Sequence, residues 1–453
     1  MPTVRDRAAT AAARSAAAAI RATGSGRGST LPGKLANLIS ASFLHDRAAE
    51  LPQGFVLVTG TNGKTTTAAM AAHVLRAHGR SLVHNVEGAN LLSGIASAFA
   101  AQGRAPLALL EADEAIVPRA VAALGTPRVI VLTNLFRDQL DRYGEVDRLA
   151  EGWLEALRRL EDTVLVANAD DPLVAHVARS SGLATLYFGL EPGETTASVP
   201  DREVSDAVVC PGCGELLTYR IRWLSQFGDY SCRHCGFGRP ARDLEARDLH
   251  LSSAQVTAVV VDSSSPGREL ALSLEIPGMH SVYNALGAGA LVERLGVPLP
   301  AALADLSTYR PVFGRASSYP YGDATVRVSL VKNPAGMNQT LRTLAALQGD
   351  RALVFVLNDN IADGRDISWI WDADLESLLP PAGTVVACGQ REAGMALRLK
   401  YAGVDDTRLF STARLEDGLA LALERGHREI DVLPTYTALE EVRVTLAAER
   451  RAG

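Results

Sequence analysis

The chain has 453 residues, a length that predicts two or three domains. Apolar residues make up 47% and charged residues 21% of it, a soluble globular balance that excludes an intrinsically disordered or fibrous protein. The net charge of −6 provides no global basic field for nucleic acid or an anionic membrane, and no apolar run is long enough for a transmembrane helix.

The alanine-rich N-terminal segment, residues 1–50, is predicted to be helical. Arginines interrupt it repeatedly, whereas a secretory signal needs a continuous apolar core. We expect a first helix, a Gly/Ser loop from Gly24 to Gly33, and a second helix around Lys34 to Phe43. Without an export signal, the expected location is the bacterial cytoplasm, where thiols stay reduced.

The central region alternates short apolar runs with helix-like stretches, which indicates a parallel α/β sheet. The predicted strands are 55–59, 107–111, 128–133, 163–167 and 184–188, followed by a hairpin at 255–262 and 269–276. The predicted helices are Thr65–His78 and Val282–Leu295. Residues 200–240 contain few aliphatic side chains and break this pattern, so they are predicted to form a small inserted module.

The C-terminal region repeats the α/β pattern after a stretch rich in Pro, Tyr, Ser and Gly (307–322), which is predicted to be an interdomain linker. Its predicted strands are 325–331, 352–357 and 384–388, and its predicted helices are 337–347, 391–401 and 414–425. The sequence therefore predicts an N-terminal helical segment (1–50), a central domain (51–312) with an insertion at 205–240, and a Rossmann-like α/β domain (313–453).

Residues 58–67, V-T-G-T-N-G-K-T-T-T, are predicted to be a phosphate-binding loop between a strand and a helix. Backbone N–H groups of such a turn cradle phosphate oxygens, the lysine reaches the outer phosphates, and the threonine hydroxyl can coordinate Mg²⁺. Lys64 is one of only four lysines in the chain. The alternative is a tight turn with an incidental lysine. The candidate nucleotide-binding residues are Gly60, Thr61, Asn62, Gly63, Lys64, Thr65 and Thr66.

Acidic and amide side chains follow three of the predicted strands. The strand at 107–111 leads into Glu111-Ala112-Asp113-Glu114, and Glu111 together with Thr65 is the candidate Mg²⁺ site, because strand ends face the ligand crevice of a parallel sheet. A solvated acidic loop is the alternative. The later sets are Asn134, Arg137, Asp138 and Asp141, and then Asn168-Ala169-Asp170-Asp171-Pro172. Asn and Asp at such turns are commonly structural.

Four of the five cysteines form two C-x-x-C pairs, Cys210/Cys213 and Cys232/Cys235, separated by 18 residues. This spacing is typical of a zinc ribbon, in which four thiolates close a tetrahedral structural site and leave no open position for catalysis. His234 is a possible replacement ligand, although we expect it to face solvent. Nucleic-acid binding through the arginines of the ribbon is the alternative function of this module.

Five motifs in order, GTNGKTTT, EADE, TNLFRDQLDRYG, NADDP and GMHSVYNALGA, resemble the Mur ligases and the related folylpolyglutamate synthetases from about residue 30 to the end. The resemblance implies that ATP phosphorylates a carboxylate and that an amine then attacks the acyl phosphate. It further implies that Lys64 and Thr65 bind ATP and Mg²⁺, that Glu111 binds Mg²⁺, and that Asn284, in H-x-x-x-N, lies near the nucleotide. Asp170 is expected to be mainly structural.

The sequence departs from the common Mur ligase pattern in two places. Gln139 stands where the DHLD motif of the family has histidine. No lysine occurs between Lys64 and Lys332, so the carbamylated lysine that holds a second Mg²⁺ in many Mur ligases cannot form here.

The C-terminal region adds two features. Lys332, in V-K-N-P-A-G after a strand, is a candidate γ-phosphate contact, with an ordinary surface lysine as the alternative. Residues 355–376 are rich in acidic side chains and tryptophan, and repulsion among carboxylates predicts a cation, partner or ligand nearby. The alternative is a solvated acidic loop whose tryptophans pack on the core. The residues concerned are Asp359, Asp363, Asp366, Asp372, Trp369 and Trp371.

These features together are similar to the MurT family, the synthetase subunits of the lipid II isoglutaminyl synthase. The resemblance implies a heterodimer with a GatD glutaminase subunit that supplies ammonia, and conversion of the α-carboxyl of D-Glu in the lipid II stem to D-isoglutamine. It also implies that an aspartate of the C-terminal domain completes the Cys–His pair of the partner. Asp366 is the first candidate and Asp363 the second. Cys388 lacks the first glycine of a nucleophile elbow and is predicted to be a buried strand-end residue.

The sequence therefore predicts an ATP-dependent amidoligase that uses ATP, Mg²⁺ and Zn²⁺, binds GatD and lipid II, and binds no nucleic acid. It would act at the inner face of the cell membrane and touch the membrane only through its substrate. The alternatives are a ligase that adds an amino acid, of the Mur or folylpolyglutamate synthetase type, and a non-catalytic nucleotide-binding scaffold with a partner-binding ribbon.

Overall fold

A computed structural model describes residues 4–23, 30–85, 89–102, 105–138, 146–191, 205–252, 254–311, 314–347 and 349–452. Gln139, Asp141, most of the predicted Gly24–Gly33 loop and the proposed domain boundary at 312/313 lie outside the described residues.

Three helices precede the first described strand, and the other described helices are interspersed with the strands along the chain. They are α1 (Val4–Thr23), α2 (Leu31–Ile39), α3 (Phe43–Ala49), α4 (Lys64–Ala77), α5 (Leu92–Gln102), α6 (Val117–Leu124), α7 (Val146–Leu157), α8 (Pro172–Ser181), α9 (Met279–Arg294), α10 (Leu299–Leu306), α11 (Pro334–Ala345), α12 (Leu375–Leu378), α13 (Glu392–Tyr401), α14 (Leu415–Glu424) and α15 (Tyr436–Ala452). Short 3₁₀ turns occur at Glu114–Ile116 and Ser368–Trp371.

The described strands form two large sheets and one hairpin. They are β1 (Phe55–Thr59), β2 (Leu82–His84), β3 (Leu107–Glu111), β4 (Val129–Leu132), β5 (Val164–Asn168), β6 (Thr185–Glu191), β7 (Thr218–Leu224), β8 (Phe227–Ser231), β9 (Leu244–Leu251), β10 (Val256–Asp262), β11 (Glu269–Leu274), β12 (Arg315–Tyr321), β13 (Ala324–Ser329), β14 (Ala352–Val356), β15 (Thr384–Cys388), β16 (Leu409–Thr412) and β17 (Glu429–Pro434).

The central sheet has nine strands in the order β11-β10-β9-β6-β5-β4-β1-β3-β2. Seven of its strands, β2, β3, β1, β4, β5, β6 and β9, run parallel, and β10 and β11 add an antiparallel edge. All five side chains of β1 and all five of β3 are buried, because helices cover both faces of such a sheet. This arrangement confirms the predicted parallel α/β region and the predicted hairpin.

The N-terminal helices pack into the core of the central sheet. Ala9 of α1, Ala36 of α2 and Phe43 of α3 share one hydrophobic cluster with Leu57 of β1. The predicted single helix from Lys34 to Phe43 is wrong in one respect, because Ser40 is extended and separates α2 from α3. The Ser40 hydroxyl donates a 2.7 Å hydrogen bond to the buried Asp6 carboxylate of α1, which stabilises this break.

The C-terminal sheet has six strands in the order β12-β13-β17-β14-β15-β16. β13, β17, β14, β15 and β16 are parallel, and β12 pairs antiparallel with β13. The predicted linker at 307–322 is therefore wrong for 315–321, which forms the edge strand β12. Pro320 fits there because an edge strand tolerates a missing N–H donor. The predicted Rossmann-like α/β region is confirmed.

The inserted module begins where β6 ends and returns the chain to β9. Its two strands, β7 and β8, form an antiparallel hairpin joined by Ser225 and Gln226. The next strand, β9, resumes the parallel pairing with β6. The insertion therefore projects from the sheet without interrupting its order.

Candidate active site

The predicted phosphate loop lies between the end of β1 and the start of α4. Gly60 and Gly63 have φ angles of +133° and +83°, in the region that favours glycine. A Cβ at Gly63 would lie 2.2 Å from Asn284 Oδ1, and a Cβ at Gly60 would lie 2.1 Å from Thr133 Oγ1. Both glycines are therefore required by their backbone and by their close neighbours.

The chain that follows β4 holds the loop in shape. Asn62 N donates to Asn134 Oδ1 (2.8 Å), and Asn134 Nδ2 donates back to the Asn62 carbonyl (2.9 Å). Thr133 Oγ1 also donates to the Asn62 carbonyl (2.9 Å). Thr61 Oγ1 accepts a hydrogen bond from Phe136 N (2.9 Å). The segment 133–136 is thus a support for the phosphate loop.

Lys64 is buried at the start of α4 and forms an ion pair with a carboxylate. Its Nζ lies 2.6 Å from Glu114 Oε2 and donates to the Gly60 carbonyl at 2.5 Å. Burial alone would raise the pKa of Glu114, but the ammonium groups of Lys64 and Lys332 outweigh burial and lower it. The Glu114 carboxylate therefore stays ionised beside Lys64, at the turn that is predicted to bind phosphate.

Glu111 is the last residue of β3 and is 2% exposed. Its backbone is held on both sides by Asn85, which accepts from Glu111 N and donates to the Glu111 carbonyl, each at 2.8 Å. Its carboxylate accepts a hydrogen bond from Asn90 Nδ2 at 3.3 Å. A carboxylate and the Thr65 hydroxyl are hard oxygen donors of the kind that suits Mg²⁺.

The C-terminal domain reaches the phosphate loop through Lys332 and Asn333. Lys332 Nζ forms an ion pair with Asp138 Oδ2. Burial alone would lower the pKa of Lys332, but the carboxylates of Asp138 and Glu114 outweigh burial and raise it. The amides of Asn333 and Asn62 are hydrogen bonded, with Asn333 Nδ2 donating to Asn62 Oδ1 at 3.1 Å. Asn333 also caps α11 by accepting from Gly336 N at 2.8 Å.

These contacts border a solvent-open cleft between the central and C-terminal regions of the chain. The phosphate loop forms one end of the cleft, through Asn62, Gly63 and Thr66, and α11 forms another wall. Asn284 of α9 lines the cleft, and its Oδ1 accepts a hydrogen bond from Thr67 Oγ1 at 3.2 Å. Apolar side chains with a few polar groups from the phosphate loop line the cleft, and such a lining is typical of a small-molecule site.

The N-A-D-D-P turn lies beside the cleft and is held by buried polar contacts. Asp170 is fully buried and accepts hydrogen bonds from Arg239 Nε (2.7 Å), Tyr283 Oη (2.6 Å) and Leu190 N (2.8 Å). Burial raises its pKa despite the nearby guanidinium. Asp171 caps α8 through Leu173 N at 2.9 Å. These contacts support a structural role for the turn.

The four paired cysteines meet at the base of the inserted hairpin. Cys210 Sγ and Cys235 Sγ are 3.6 Å apart, and Cys213 Sγ and Cys232 Sγ are 3.5 Å apart. All four sulfurs lie within 4.8 Å of one another. A disulfide would need about 2.05 Å, whereas four sulfurs at about 2.3 Å from a central zinc are separated by about 3.8 Å. The cluster therefore fits a tetrahedral metal ion.

Backbone N–H groups favour a thiolate at one member of this cluster, Cys232. Hydrogen bonds from the Cys235 and His234 amides hold the pKa of Cys232 at about 6. His234 is exposed, as predicted. Phe237 and Tyr230 pack against Ala175 of α8, so the cluster is attached to the helix that follows the N-A-D-D-P turn.

Arginine side chains neutralise more of the negative charge in the acidic segment of the C-terminal domain than the sequence indicated. Asp359 Oδ2 accepts from Arg391 Nη2 at 2.5 Å, and Asp372 Oδ2 lies 3.5 Å from Arg137 Nη1. The predicted nearby cations are therefore arginines of the chain itself. Trp369 packs against the core, whereas Trp371 is 48% exposed.

Asp363 and Asp366 differ in their surroundings. Asp363 is buried and accepts hydrogen bonds from Thr437 N (2.7 Å) and Thr437 Oγ1 (2.5 Å). Asp366 is exposed, and hydrogen bonds from Ser368 lower its pKa. An exposed, ionised carboxylate is the one that a second protein could reach.

Cys388 ends β15 and is fully buried, as predicted. Burial raises the pKa of its thiol to about 11, so it is unsuited to act as a nucleophile.

Sequence reasoning did not assign roles to Glu114, Asn333, Leu224 or Phe227, all of which line or support the cleft. The EADE and V-K-N-P motifs contained Glu114 and Asn333, but nothing in either motif showed that they would meet the phosphate loop. Leu224 and Phe227 carried no local signal, because they belong to the inserted module.

The fold is that of the Mur ligases. The family model for the Mur ligase middle domain matches residues 58–223, and that for the MurT ligase C-terminal domain matches residues 330–439. A pseudomurein peptide ligase type C from Methanothermus fervidus has a similar structure, with a TM-score of 0.67 and 22% identity over 87% of this chain and 78% of that chain.

Two relatives identify the family within this fold. The chain is 35% identical to the lipid II isoglutaminyl synthase (glutamine-hydrolyzing) subunit MurT of Staphylococcus aureus strain COL, over 84% of each chain. It is 32% identical to the subunit of the same name from Streptococcus pneumoniae strain ATCC BAA-255 / R6, over 94% of each chain. The chain belongs to the MurT family.

Proposed function

We propose that the chain is the synthetase subunit of a lipid II isoglutaminyl synthase. It would convert the α-carboxyl of D-Glu in the lipid II stem peptide to the D-isoglutamine amide in peptidoglycan synthesis, at the expense of ATP. The observation that carries this proposal is the phosphate loop with its buried Lys64 at one end of the interdomain cleft, in a chain that belongs to the MurT family.

The nucleotide would bind with its phosphates on the loop and its nucleoside in the cleft. Backbone N–H groups of the loop and the ammonium of Lys64 suit the β- and γ-phosphates. Lys332 lies near the same loop and would contact the γ-phosphate after exchanging its Asp138 partner. Asn284 borders the loop at Gly63. The candidate residues as a set are Gly60, Thr61, Asn62, Gly63, Lys64, Thr65, Thr66, Asn284 and Lys332.

Thr65 and Glu111 would hold Mg²⁺, whose charge lowers the cost of bringing the phosphates and a carboxylate together. The fit rests on their oxygen donors and on the buried position of Glu111 at the strand end. The Asn85 contacts on both sides of the Glu111 backbone keep its carboxylate at that position.

The reaction would proceed in two steps. An oxygen of the D-Glu α-carboxylate attacks the γ-phosphorus of ATP, the bond to the β-phosphate oxygen breaks, and ADP leaves with that electron pair. Ammonia then attacks the acyl carbon, the tetrahedral intermediate expels inorganic phosphate, and loss of a proton leaves the amide. Lys64 and Lys332 would stabilise the charge that develops on the transferred phosphoryl group.

Ammonia would come from a GatD-type glutaminase subunit in a heterodimer. The relatives are named glutamine-hydrolyzing, and none of the five cysteines of this chain suits glutamine hydrolysis. Four lie together in the cysteine cluster, and Cys388 is buried with a raised pKa. We assign Asp366 to orient the catalytic histidine of the partner, because it is exposed whereas Asp363 is committed to Thr437.

The cysteine cluster would hold Zn²⁺ as a closed structural site, since all four ligand positions are thiolates. The division into residues 1–50, 51–312 and 313–453 remains our proposal for the domains. None of the described helices is both long and apolar enough to span a bilayer. The chain would act in the cytoplasm and meet the inner membrane face through lipid II.

The test is an amidation assay with the purified chain, ATP, Mg²⁺ and a lipid II-type substrate, followed by mass spectrometry. Separate reactions contain ammonium chloride, glutamine, or a panel of free amino acids. We expect stem amidation with ammonium chloride and none with glutamine until the glutaminase subunit is added. Glu111→Ala serves as the matched inactive control.

Other outcomes would support other functions. Addition of an amino acid would overturn the proposal in favour of an ordinary Mur-type or folylpolyglutamate-type ligase. If no donor gives a product, with or without the glutaminase subunit, the chain would instead be a non-catalytic nucleotide-binding scaffold.

A further inference from the structure

The hairpin of the inserted module runs from the cysteine cluster to the interdomain cleft. Cys232 directly follows β8 at one end of the hairpin. At the other end, Ser225, with a φ angle of +50°, and Gln226 turn the chain between Leu224 and Phe227. Leu224 and Phe227 line the same cleft as Gly63 of the phosphate loop. The module therefore contributes directly to the candidate nucleotide site.

The tip of the hairpin is held tightly at the cleft. The ring of Phe227 stacks on Phe136 with centroids 5.3 Å apart and packs T-shaped against Tyr283 with centroids 5.0 Å apart. Gln226 is fully buried, and its Nε2 donates to the Leu135 carbonyl (2.7 Å) and to Asp171 Oδ2 (3.0 Å). The tip is thus tied to both the phosphate-loop support and the N-A-D-D-P turn.

A second set of contacts holds the body of the hairpin. Trp223 Nε1 donates to Tyr283 Oη at 2.6 Å. The guanidinium of Arg239 lies over the Trp223 ring, 4.9 Å from its centroid, and pairs with Asp170. Tyr230 Oη donates to the Ala169 carbonyl at 2.9 Å. The direction of the hairpin is therefore set by the cysteine cluster at its base together with these contacts along its length.

The position of the tip selects the part of a ligand that it would contact. Phosphates belong at the loop, next to Gly63 and Lys64, so the base and ribose must extend into the rest of the cleft. That part is lined by apolar side chains, including Ile276, Leu330 and Leu344. A flat aromatic base is the portion of a nucleotide that packs against such a surface.

We propose that Leu224 and Phe227 form a wall against which the base of ATP packs, and that metal binding by the four cysteines keeps this wall in place. This inference rests on the proposed function only in taking ATP as the nucleotide of the cleft. It assigns the inserted module a part in nucleotide recognition.

The test is direct calorimetric binding of ATP and of inorganic tripolyphosphate, each with Mg²⁺, to the zinc-loaded full chain. Phe227→Leu keeps an apolar side chain against Phe136 but removes the flat ring, and Leu224→Ala shortens the wall. We expect each variant to bind ATP about tenfold more weakly, about 1.4 kcal/mol, and to bind tripolyphosphate within about twofold of the unaltered chain. Leu216→Ala, at a 68% exposed position of the same module, is the control and should change neither affinity.

The role of the metal is tested with Cys213→Ser, which removes one exposed ligand. The same selective loss of ATP affinity is expected, with tripolyphosphate binding retained. Retained tripolyphosphate binding also shows that the variant is folded at the phosphate loop.

Two results would overturn the inference. Unchanged ATP affinity in both tip variants would show that Leu224 and Phe227 do not contact the base. Equal losses of affinity for ATP and tripolyphosphate would show that the tip shapes the phosphate loop instead. If the unaltered chain binds neither ligand, the proposed ATP-dependent function fails as well. If the variants bind ATP as tightly as the unaltered chain and amidation is normal, this inference fails but the proposed function stands.

Discussion

Replacing Arg239 by methionine should destabilise the protein strongly because it removes the cation beside a buried carboxylate. The side chain of Arg239 is 4% exposed and that of Asp170 is 0% exposed. After the change, Asp170 keeps only two neutral donors, Tyr283 Oη and Leu190 N. Removing one member of a buried ion pair costs about 3–5 kcal/mol.

Protonation of Asp170 sets a ceiling on this cost. Neutralising a carboxyl group whose ordinary pKa is 3.8 costs about 4 kcal/mol at pH 7 and about 2 kcal/mol at pH 5.5. Burial already raises the pKa of Asp170, and loss of the guanidinium would raise it further. An acid with a raised pKa in the folded state loses its stabilising contribution as the pH rises. The deficit of the variant should therefore shrink as the pH falls from 7 to 5.5.

The assay is urea-induced unfolding of the zinc-loaded chain, followed by tryptophan fluorescence, because Trp223 lies against Arg239. Arg220→Met is the matched control, since this arginine of the same inserted module is 68% exposed and pairs with Asp229. The control should change the free energy of unfolding by no more than about 0.5 kcal/mol. Adding Asp170→Asn to the variant should recover about half of the loss and remove its pH dependence.

The reasoning would be refuted if Arg239→Met were no more destabilising than Arg220→Met. A large deficit that stays constant from pH 7 to pH 5.5 would equally refute it, because the loss would then arise from packing and not from the uncompensated carboxylate.

Three further changes test separate parts of the site. Glu111→Gln replaces a charged oxygen ligand by a neutral amide and should raise the Mg²⁺ concentration needed for half-maximal ATP turnover by about tenfold; an unchanged Mg²⁺ titration would contradict the assignment. Cys235→Ser should lower the zinc content well below one ion per chain by colorimetric release, and full retention would exclude this ligand set. Asp366→Asn should reduce glutamine-dependent amidation in the complex by about 100-fold or more and leave ammonium-dependent amidation within about twofold. Asp406→Asn, an exposed surface change, should affect neither reaction, and equal losses with both nitrogen sources would overturn the role of Asp366.

Features encoded by neighbouring residues were predictable from the sequence. The apolar runs of β1, β3 and β15 mark buried parallel strands because a strand covered on both faces needs side chains of one kind throughout. The glycines and Lys64 of the phosphate loop lie within a few residues of one another, and each C-x-x-C pair forms one turn. Their geometry is local, so spacing alone predicts it.

The edge of the C-terminal domain shows where local patterns mislead. The stretch 307–322 is rich in residues typical of loops, yet 315–321 forms β12 because β13 offers it an unpaired strand edge. The acidic segment is similar, since Asp359 is neutralised by Arg391, a residue that lies on the next βα connection. In both cases the partner is distant in sequence, and composition does not report it.

The sequence by itself determined the parallel α/β class, the phosphate loop and the four-cysteine module, since each depends on contacts between near neighbours along the chain. Only the tertiary structure decided that Glu114 pairs with Lys64, that Asn333 meets Asn62 across 271 residues, and that Phe227 of the inserted module reaches the cleft. Such contacts arise because packing the two sheets and the hairpin around their hydrophobic clusters brings these side chains together, and no periodicity in the chain encodes that meeting.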